Sequence, residues 1–360
     1  MKTNFMIIFL FVFIVVASAQ DISRETSLDC AQCHSRIYED WSRSMHALST
    51  PDKDILYQKM MNWAIDDTKG KAAGLCKKCH MPFEESTLTK NPVDCIYCHS
   101  MENSAGRILL SKTKYSAHDN DQSEYHKIEA RDHFKNGQLC MVCHSKLVNA
   151  MDVDICITGI EYESSGNNAK SCQSCHMPLV TGSNSDDLSS SGMISQHSFL
   201  GPHDENFLKE SLRLDLKYAD SRLTVIIDNS ATPHAYPTGT PLRTVILKVA
   251  GYDADGRITF ENWKNDPLAE DRHAVFNRVF EDDEHQFPVM PWRAAGVKID
   301  TRIKAGEIRE LEYKVPGITK KISAKLLFRL APENILDHLQ IDDPYLRKAH
   351  LINQSELILN

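Results

Sequence analysis

Five times in the first half of the chain, two cysteines stand three positions apart with a histidine directly after the second. The sets are Cys30/Cys33/His34, Cys76/Cys79/His80, Cys95/Cys98/His99, Cys140/Cys143/His144 and Cys172/Cys175/His176. Cys-x-x-Cys-His is the pattern of covalent c-type haem attachment: both thiols form thioethers to the porphyrin edge, and the histidine ligates the iron. Chance would supply roughly 0.015 such matches in a chain with these Cys and His frequencies. Zinc or disulfides would also explain paired cysteines, but neither needs a histidine after every pair. The expected cofactor is haem c, five copies, covalently attached.

Each iron then needs a partner on its opposite face, and imidazole is a common haem ligand. Sixteen histidines less five in the motifs leave eleven candidates. His46, in Trp41-Ser42-Arg43-Ser44-Met45-His46, follows the first motif on a helical pattern. Twelve residues of helix span about 18 Å, too far to return to the same iron, so His46 should reach a neighbouring one. His118, His126 and His133 precede the fourth motif, and at least one of them is expected to be a ligand. His197 and His203 share a short Gly-Pro-shaped segment and could serve two haems. His234 sits in a loop with three prolines, Thr232 to Pro241, a backbone with little entropy to lose. Met81 and Met177 directly follow motif histidines and cannot reach the far side of the same ring, so they read as packing residues. Cys156, the one cysteine left over, reads as a buried thiol.

These groups must be positioned by two kinds of chain. Residues 1–19 read as a signal peptide: Lys2, an apolar run from Phe5 to Val16, and the small residues Ala17-Ser18-Ala19. That run is too short for a span of ~20 residues, so no membrane anchor is expected. Residues 20–210 offer about 38 residues per haem, too few for an apolar core around each, so the porphyrins should themselves form the core. Only fourteen residues, 81–94, separate His80 from Cys95, which suggests that the second and third haems are adjacent. Residues 211–360 alternate apolar and polar positions in Leu212–Tyr218, Leu223–Ile227, Val245–Val249, Leu311–Val315 and Ile322–Leu330. Period-two alternation marks antiparallel strands. The expected fold is α+β: a helical and loop-rich pentahaem domain followed by a small antiparallel β-sandwich.

In combination these segments resemble a known family, the multihaem cytochromes related to the tetrahaem electron acceptor of hydroxylamine oxidoreductase. The matching pieces are Cys30 to His46, Cys-His-Met-Pro at the second motif, Val93-Asp94-Cys95, and Tyr125-His126 leading to Cys140. Cys172 to Pro178, His197-x-Phe-x-Gly, His234-Ala-Tyr-Pro-Thr-Gly with Arg243, and the Arg329 segment complete them. The family's aromatic-acidic segment corresponds here to Tyr162-Glu163, without its terminal tryptophan. The resemblance implies His126 rather than His118 or His133, and supports His46, His197 and His234 as distal ligands. With His203, five distal histidines meet five irons.

Six-coordinate irons leave no position for substrate, so the expected function is electron transfer in the periplasm or at the cell surface, with no catalytic residue. One alternative is an oxidoreductase acting on a small nitrogen or sulfur compound at an open haem; another is a subunit of an extracellular conduit or filament. No Cys-x-x-Cys-Lys motif, phosphate loop or nucleophile elbow is present. The formal charge of −8 argues against nucleic acid and favours redox partner proteins with basic patches.

Overall fold

The structure, a computed structural model, describes residues 25–83, 91–118, 125–166, 170–186, 192–209 and 211–359. The expected signal peptide lies outside them. No helix among the described residues is long and apolar enough to cross a membrane. The architecture is α+β, with antiparallel sheets dominating the C-terminal region.

The first half is built from short helices: α1 (Ser27–Ala31), α2 (Ser35–Ser42), α3 (Ile55–Thr68), α4 (Ala73–His80), α5 (Cys95–His99), α6 (Gln138–His144), α7 (Thr158–Ser164), α8 (Cys172–His176) and α9 (Glu205–Lys209). Three small two-stranded ladders lie between them: β1 (Thr113–Ser116) with β2 (Lys127–Ala130), β3 (Leu147–Val148) with β4 (Asp154–Cys156), and β5 (Leu179–Gly182) with β6 (Gly192–Ser195). Local capping starts several helices. Asp54 accepts from the Tyr57 amide at 3.0 Å, Asp94 from the Tyr97 amide at 2.8 Å, and Ser171 from the Ser174 amide, each satisfying an otherwise orphaned first-turn donor.

The second half carries β7 (Arg213–Ala219), β8 (Arg222–Asp228), β9 (Thr244–Tyr252), β10 (Ile258–Glu261), β11 (Val275–Phe276), β12 (Arg278–Glu281), β13 (Gly296–Asp300), β14 (Ile308–Lys314), β15 (Lys321–Arg329) and β16 (His350–Ile358). Strands β14, β8 and β7 form one sheet; β10, β9, β15 and β16 form a second, with β11 also on β9. Leu214, Leu223, Val225 and Ile227 of the first sheet share one core with Val245, Leu247, Val249, Ile322, Leu326 and Phe328 of the second. Inward side chains alternate because strand side chains have period two, and each of these large aliphatics contributes about 1.5–3 kcal/mol on burial. Asp253 to Gly256 is the turn between β9 and β10, with Gly256 at φ +79°. Strands β12, β13 and β16 lie where the alternation gave no expectation. On β16 only His350 and Ile352 are deeply buried before the pattern turns to half-buried and exposed positions, so the apolar signal is thin.

The halves are docked. Leu56, Met60 and Trp63, on one face of α3, pack against the β core. Asp67 of the same helix pairs with Arg293, and Trp292 Nε1 donates to it at 2.7 Å. Asn149, between β3 and β4, donates to the carbonyls of Pro291 at 2.9 Å and Ala294 at 2.7 Å.

Candidate metal and cofactor site

Each motif occupies a short helix or its end. Positions i, i+3 and i+4 of a helix share one side, so both thiols and the imidazole of each set point the same way. Three motif histidines are oriented by a backbone carbonyl that accepts from Nδ1: His34 by Asn184, His99 by Tyr115 at 2.7 Å and His176 by Leu200 at 2.5 Å. A carbonyl only accepts, so the proton sits on Nδ1 and Nε2 keeps its lone pair for a metal. Two distal candidates are held in the same way, His197 by Ser195 O at 2.8 Å and His234 by Ala235 O at 3.0 Å.

Four motif histidines face one of the distal candidates. His34 lies across from His126 with ring centroids 6.2 Å apart, and His144 across from His46 at 6.2 Å. His99 faces His197 at 6.4 Å, and His176 faces His234 at 6.4 Å. Two metal–imidazole bonds of about 2.0–2.1 Å, plus about 1.1 Å from each nitrogen to its ring centre, place two trans imidazoles about 6.3 Å apart. The residues therefore fit a metal held between paired rings. Among the described residues no cluster of three or more His, Cys, Asp and Glu suits a bare ion, and all eleven cysteines are unbridged.

The rings are held neutral. Burial pushes His46 down to about 3, with His144 and His80 adding to the effect. Burial likewise brings His99 and His144 to about 4 and lowers His126, His176, His197 and His234. A neutral imidazole is the ligating form.

The fifth motif histidine differs. The ring of His80 is stacked on Tyr57 at 4.0 Å and 10°, and burial lowers its pKa; among the described residues no histidine ring stands opposite it. His203 is elsewhere: its ring stacks on Tyr345 at 6.0 Å and its carbonyl accepts from the Tyr345 hydroxyl at 2.8 Å. His133 is buried, engages the Met101 carbonyl at 3.0 Å and packs on Phe134. His118 lies beside Ser116, whose hydroxyl donates to its carbonyl. Two histidines near the end of the chain are engaged within it. His338 packs on Trp63 at 4.2 Å, and the fully buried His350 contacts Glu205 at 3.2 Å and the Tyr345 carbonyl at 3.1 Å.

Thiols of different motifs touch. Cys30 interacts with Cys95, Cys79 with Cys143, and Cys140 with Cys172; in each pair one thiol is raised and the other lowered by their mutual hydrogen bond. Gly137, at φ +80°, makes the last contact possible, since a Cβ there would lie 2.8 Å from the Cys172 sulfur. The first motif thus abuts the third, the second the fourth, and the fourth the fifth. The second and third, neighbours in sequence, share no such thiol contact; Tyr97 stands beside Cys143, Cys98 and Cys79 at that junction.

Cys33, Cys76, Cys98 and Cys175 take no part in these thiol pairs, and of the ten motif cysteines Cys175 alone is exposed. Cys33 is half-buried in the turn after α1, where its carbonyl accepts from the Asp186 amide at 2.7 Å. Cys175 is exposed on the last turn of α8, with the Ser174 hydroxyl 3.9 Å from its sulfur. The reason is helical geometry. In the first and fifth motifs the leading thiols, Cys30 and Cys172, occupy the junction with another motif, and the second thiol lies about 4.5 Å further along the axis.

Sequence reasoning missed the clamp on the His234 loop. Glu161 of α7 accepts from Thr238 Oγ1 at 2.7 Å and from the Ala235 amide at 3.2 Å, and pairs with Arg302 at 2.6 Å. Arg302 is also forked onto Asp300 by two bonds of 2.8 Å. The only local signal was a carboxylate on a seven-residue helix, which says nothing of a partner 141 positions away.

Comparison with known proteins gives three results. Residues 29–100 match the family model "Cytochrome c554 and c-prime". No curated protein matches. Among solved structures, a penta-heme cytochrome c552 from Thermochromatium tepidum superposes with a TM-score of 0.80 at 27% identity, covering 94% of this chain and 100% of that one. A hypothetical protein PH1083 from Pyrococcus horikoshii OT3 aligns over 42% of this chain and 92% of that one at 9% identity, but its TM-score of 0.18 carries no argument.

Proposed function

We propose that the chain is a multihaem c-type cytochrome, an exported electron carrier with five covalently attached haem c groups, on the strength of its match over residues 29–100 and its likeness to a penta-heme cytochrome c552. Bound at these sites, haem supplies reversible one-electron iron chemistry. The five cysteine pairs anchor the groups. His34 with His126, His144 with His46, His99 with His197, and His176 with His234 hold four irons from both sides, which leaves those irons no position for substrate. The thiol contacts put the first centre beside the third, the second beside the fourth and the fourth beside the fifth, and Tyr97 stands between the two groups, beside Cys98, Cys79 and Cys143. Export is supported by the leader-like residues 1–19, and the acidic balance suits redox partners with basic patches. The observation that carries this reading is the set of four facing imidazole pairs at 6.2–6.4 Å.

One observation favours a second reading, an oxidoreductase for a small nitrogen or sulfur compound. His80 has Tyr57 on its ring and, among the described residues, no imidazole facing it, so the iron it would hold would keep an open position. Electron paramagnetic resonance of the oxidised protein, with the haem count taken by mass, separates the two. Four low-spin centres plus one high-spin signal indifferent to nitrite, hydroxylamine and sulfite mean a carrier. A high-spin signal that shifts with one of them means an enzyme. Fewer than five haems, or more than one high-spin centre, overturns the ligand scheme.

A further inference from the structure

We infer that Arg243 is the counter-ion of a haem propionate at the junction of the fourth and fifth haems; this rests on the reading that the motifs carry haem. Arg243 immediately precedes β9. Burial pulls its guanidinium below the usual arginine range. Nη1 donates to the Thr238 carbonyl at 2.9 Å, while Nε is shielded from solvent and has no partner. A guanidinium has five donors arranged to grip a carboxylate by two parallel bonds. Among the described residues no carboxylate lies within ion-pair distance of it.

Its surroundings supply no anion either. The groups that feel its charge are Cys156, Tyr236, His144, His176, His203 and His234. Burial pushes the Cys156 thiol up to about 11, and neither a phenol nor an imidazole is ordinarily an anion at pH 7. An uncompensated cation taken out of water is among the costliest features a fold can hold. The backbone nevertheless makes room for this one: Gly239, at φ +85°, would place a Cβ 2.7 Å from Nη1. A site built for a planar cation, next to the motif histidines His144 and His176, calls for a carboxylate, and propionates arrive with the haems those histidines hold. Their planar carboxylate suits an arginine fork better than a lysine point charge.

The test is a potentiometric titration of the holoprotein and of R243Q and R243K, after haem count and Soret spectrum have been checked. Removing the cation favours the oxidised iron, so R243Q should lower one or two of the five midpoint potentials and leave the others in place. R243K, which keeps the charge without the fork, should recover part of the shift. Five haems with all midpoints unmoved in R243Q overturn the proposal, and so does an equal shift in both variants. If adding sulfate or phosphate restores the R243Q potentials, or moves those of the native protein, the partner is a free oxyanion and the proposal fails. If R243Q does not mature, infrared redox difference spectra of the native protein, with labelled propionates and labelled arginine, decide. Bands of both labels should change together, and a propionate band unaffected by arginine labelling refutes the pairing. A missing haem complement in the native protein would refute the haem reading itself.

Discussion

The two halves of this molecule stay folded by different means. In the second half one cluster of aliphatic and aromatic side chains, from Leu214 and Leu223 to Leu326 and Phe328, is enclosed by two sheets. In the first half the buried apolar residues, such as Trp41, Ile96, Met101 and Tyr115, are scattered and form no comparable cluster among the described residues. Histidine rings and thiols occupy its centre instead. The lesson is that a core can be delegated: where the chain is too thin to shield its own interior, a bound group must do so, and ligand geometry then replaces side-chain packing as the source of order.

The largest effect should come from withholding haem. In hydrogen exchange on chains produced without cofactor attachment, the motif helices α4, α5, α6 and α8 should lose protection while β9 and β15 keep it. Equal protection in both halves would erase the contrast. Next in size is Leu326→Ala, at a position with no exposed surface. It should cost about 2–5 kcal/mol in denaturant unfolding followed by the β signal, with the haem spectrum of the folded protein unchanged. Glu161→Gln probes the seam. Breaking a buried pair by removing one partner costs about 3–5 kcal/mol, here somewhat less because Glu161 and Arg302 keep 11% and 9% side-chain exposure. It should also free the His234 loop, seen as high-spin character gained at one haem.

A pH titration reads a smaller term. Burial lowers His203 to about 4, below the unfolded value of about 6.5. The unfolded chain therefore binds the proton more readily between about pH 4 and 6.5, and stability falls on acidification through that window by up to about 1.4 kcal/mol per pH unit. His203→Gln should flatten that slope, and an unchanged slope would assign it to other groups. Smallest of all, Glu39→Gln removes a partner of Arg43 whose side chains are both about two-thirds exposed, and should move the melting temperature by no more than an exposed pair allows, about 0–1 kcal/mol.

What was readable in the sequence was what chemistry or periodicity confines to a few neighbouring residues. Cys140, Cys143 and His144 must be close in sequence because one ring edge and its iron are close in space. Strands β8 and β15 announced themselves through Leu223/Val225/Ile227 and Ile322 to Phe328, because a half-buried strand alternates. What was not readable depends on distant chain segments meeting. His46 finds His144 ninety-eight positions later, and Glu161 finds Arg302. The expected nearness of the second and third haems followed from a short connection, whereas the thiol contacts from first to third and from second to fourth join segments that local spacing cannot link. Nor could five identical motifs reveal that Cys175 would be exposed while Cys172, three positions earlier, meets Cys140. His203 entered the ligand set because it shares a short Gly-Pro-shaped segment with His197 and brings the distal histidines to five; its ring lies against Tyr345, a contact that spacing could not foretell.

His234 lies beyond the last cysteine pair and is carried by the β half. On the function proposed above, the segment that would complete the fifth centre is therefore synthesised after every anchoring cysteine. A chain cut short before Thr232 would hold all its attachment points and still lack a lock on its final iron. Completion of the β half would then also complete the fifth centre.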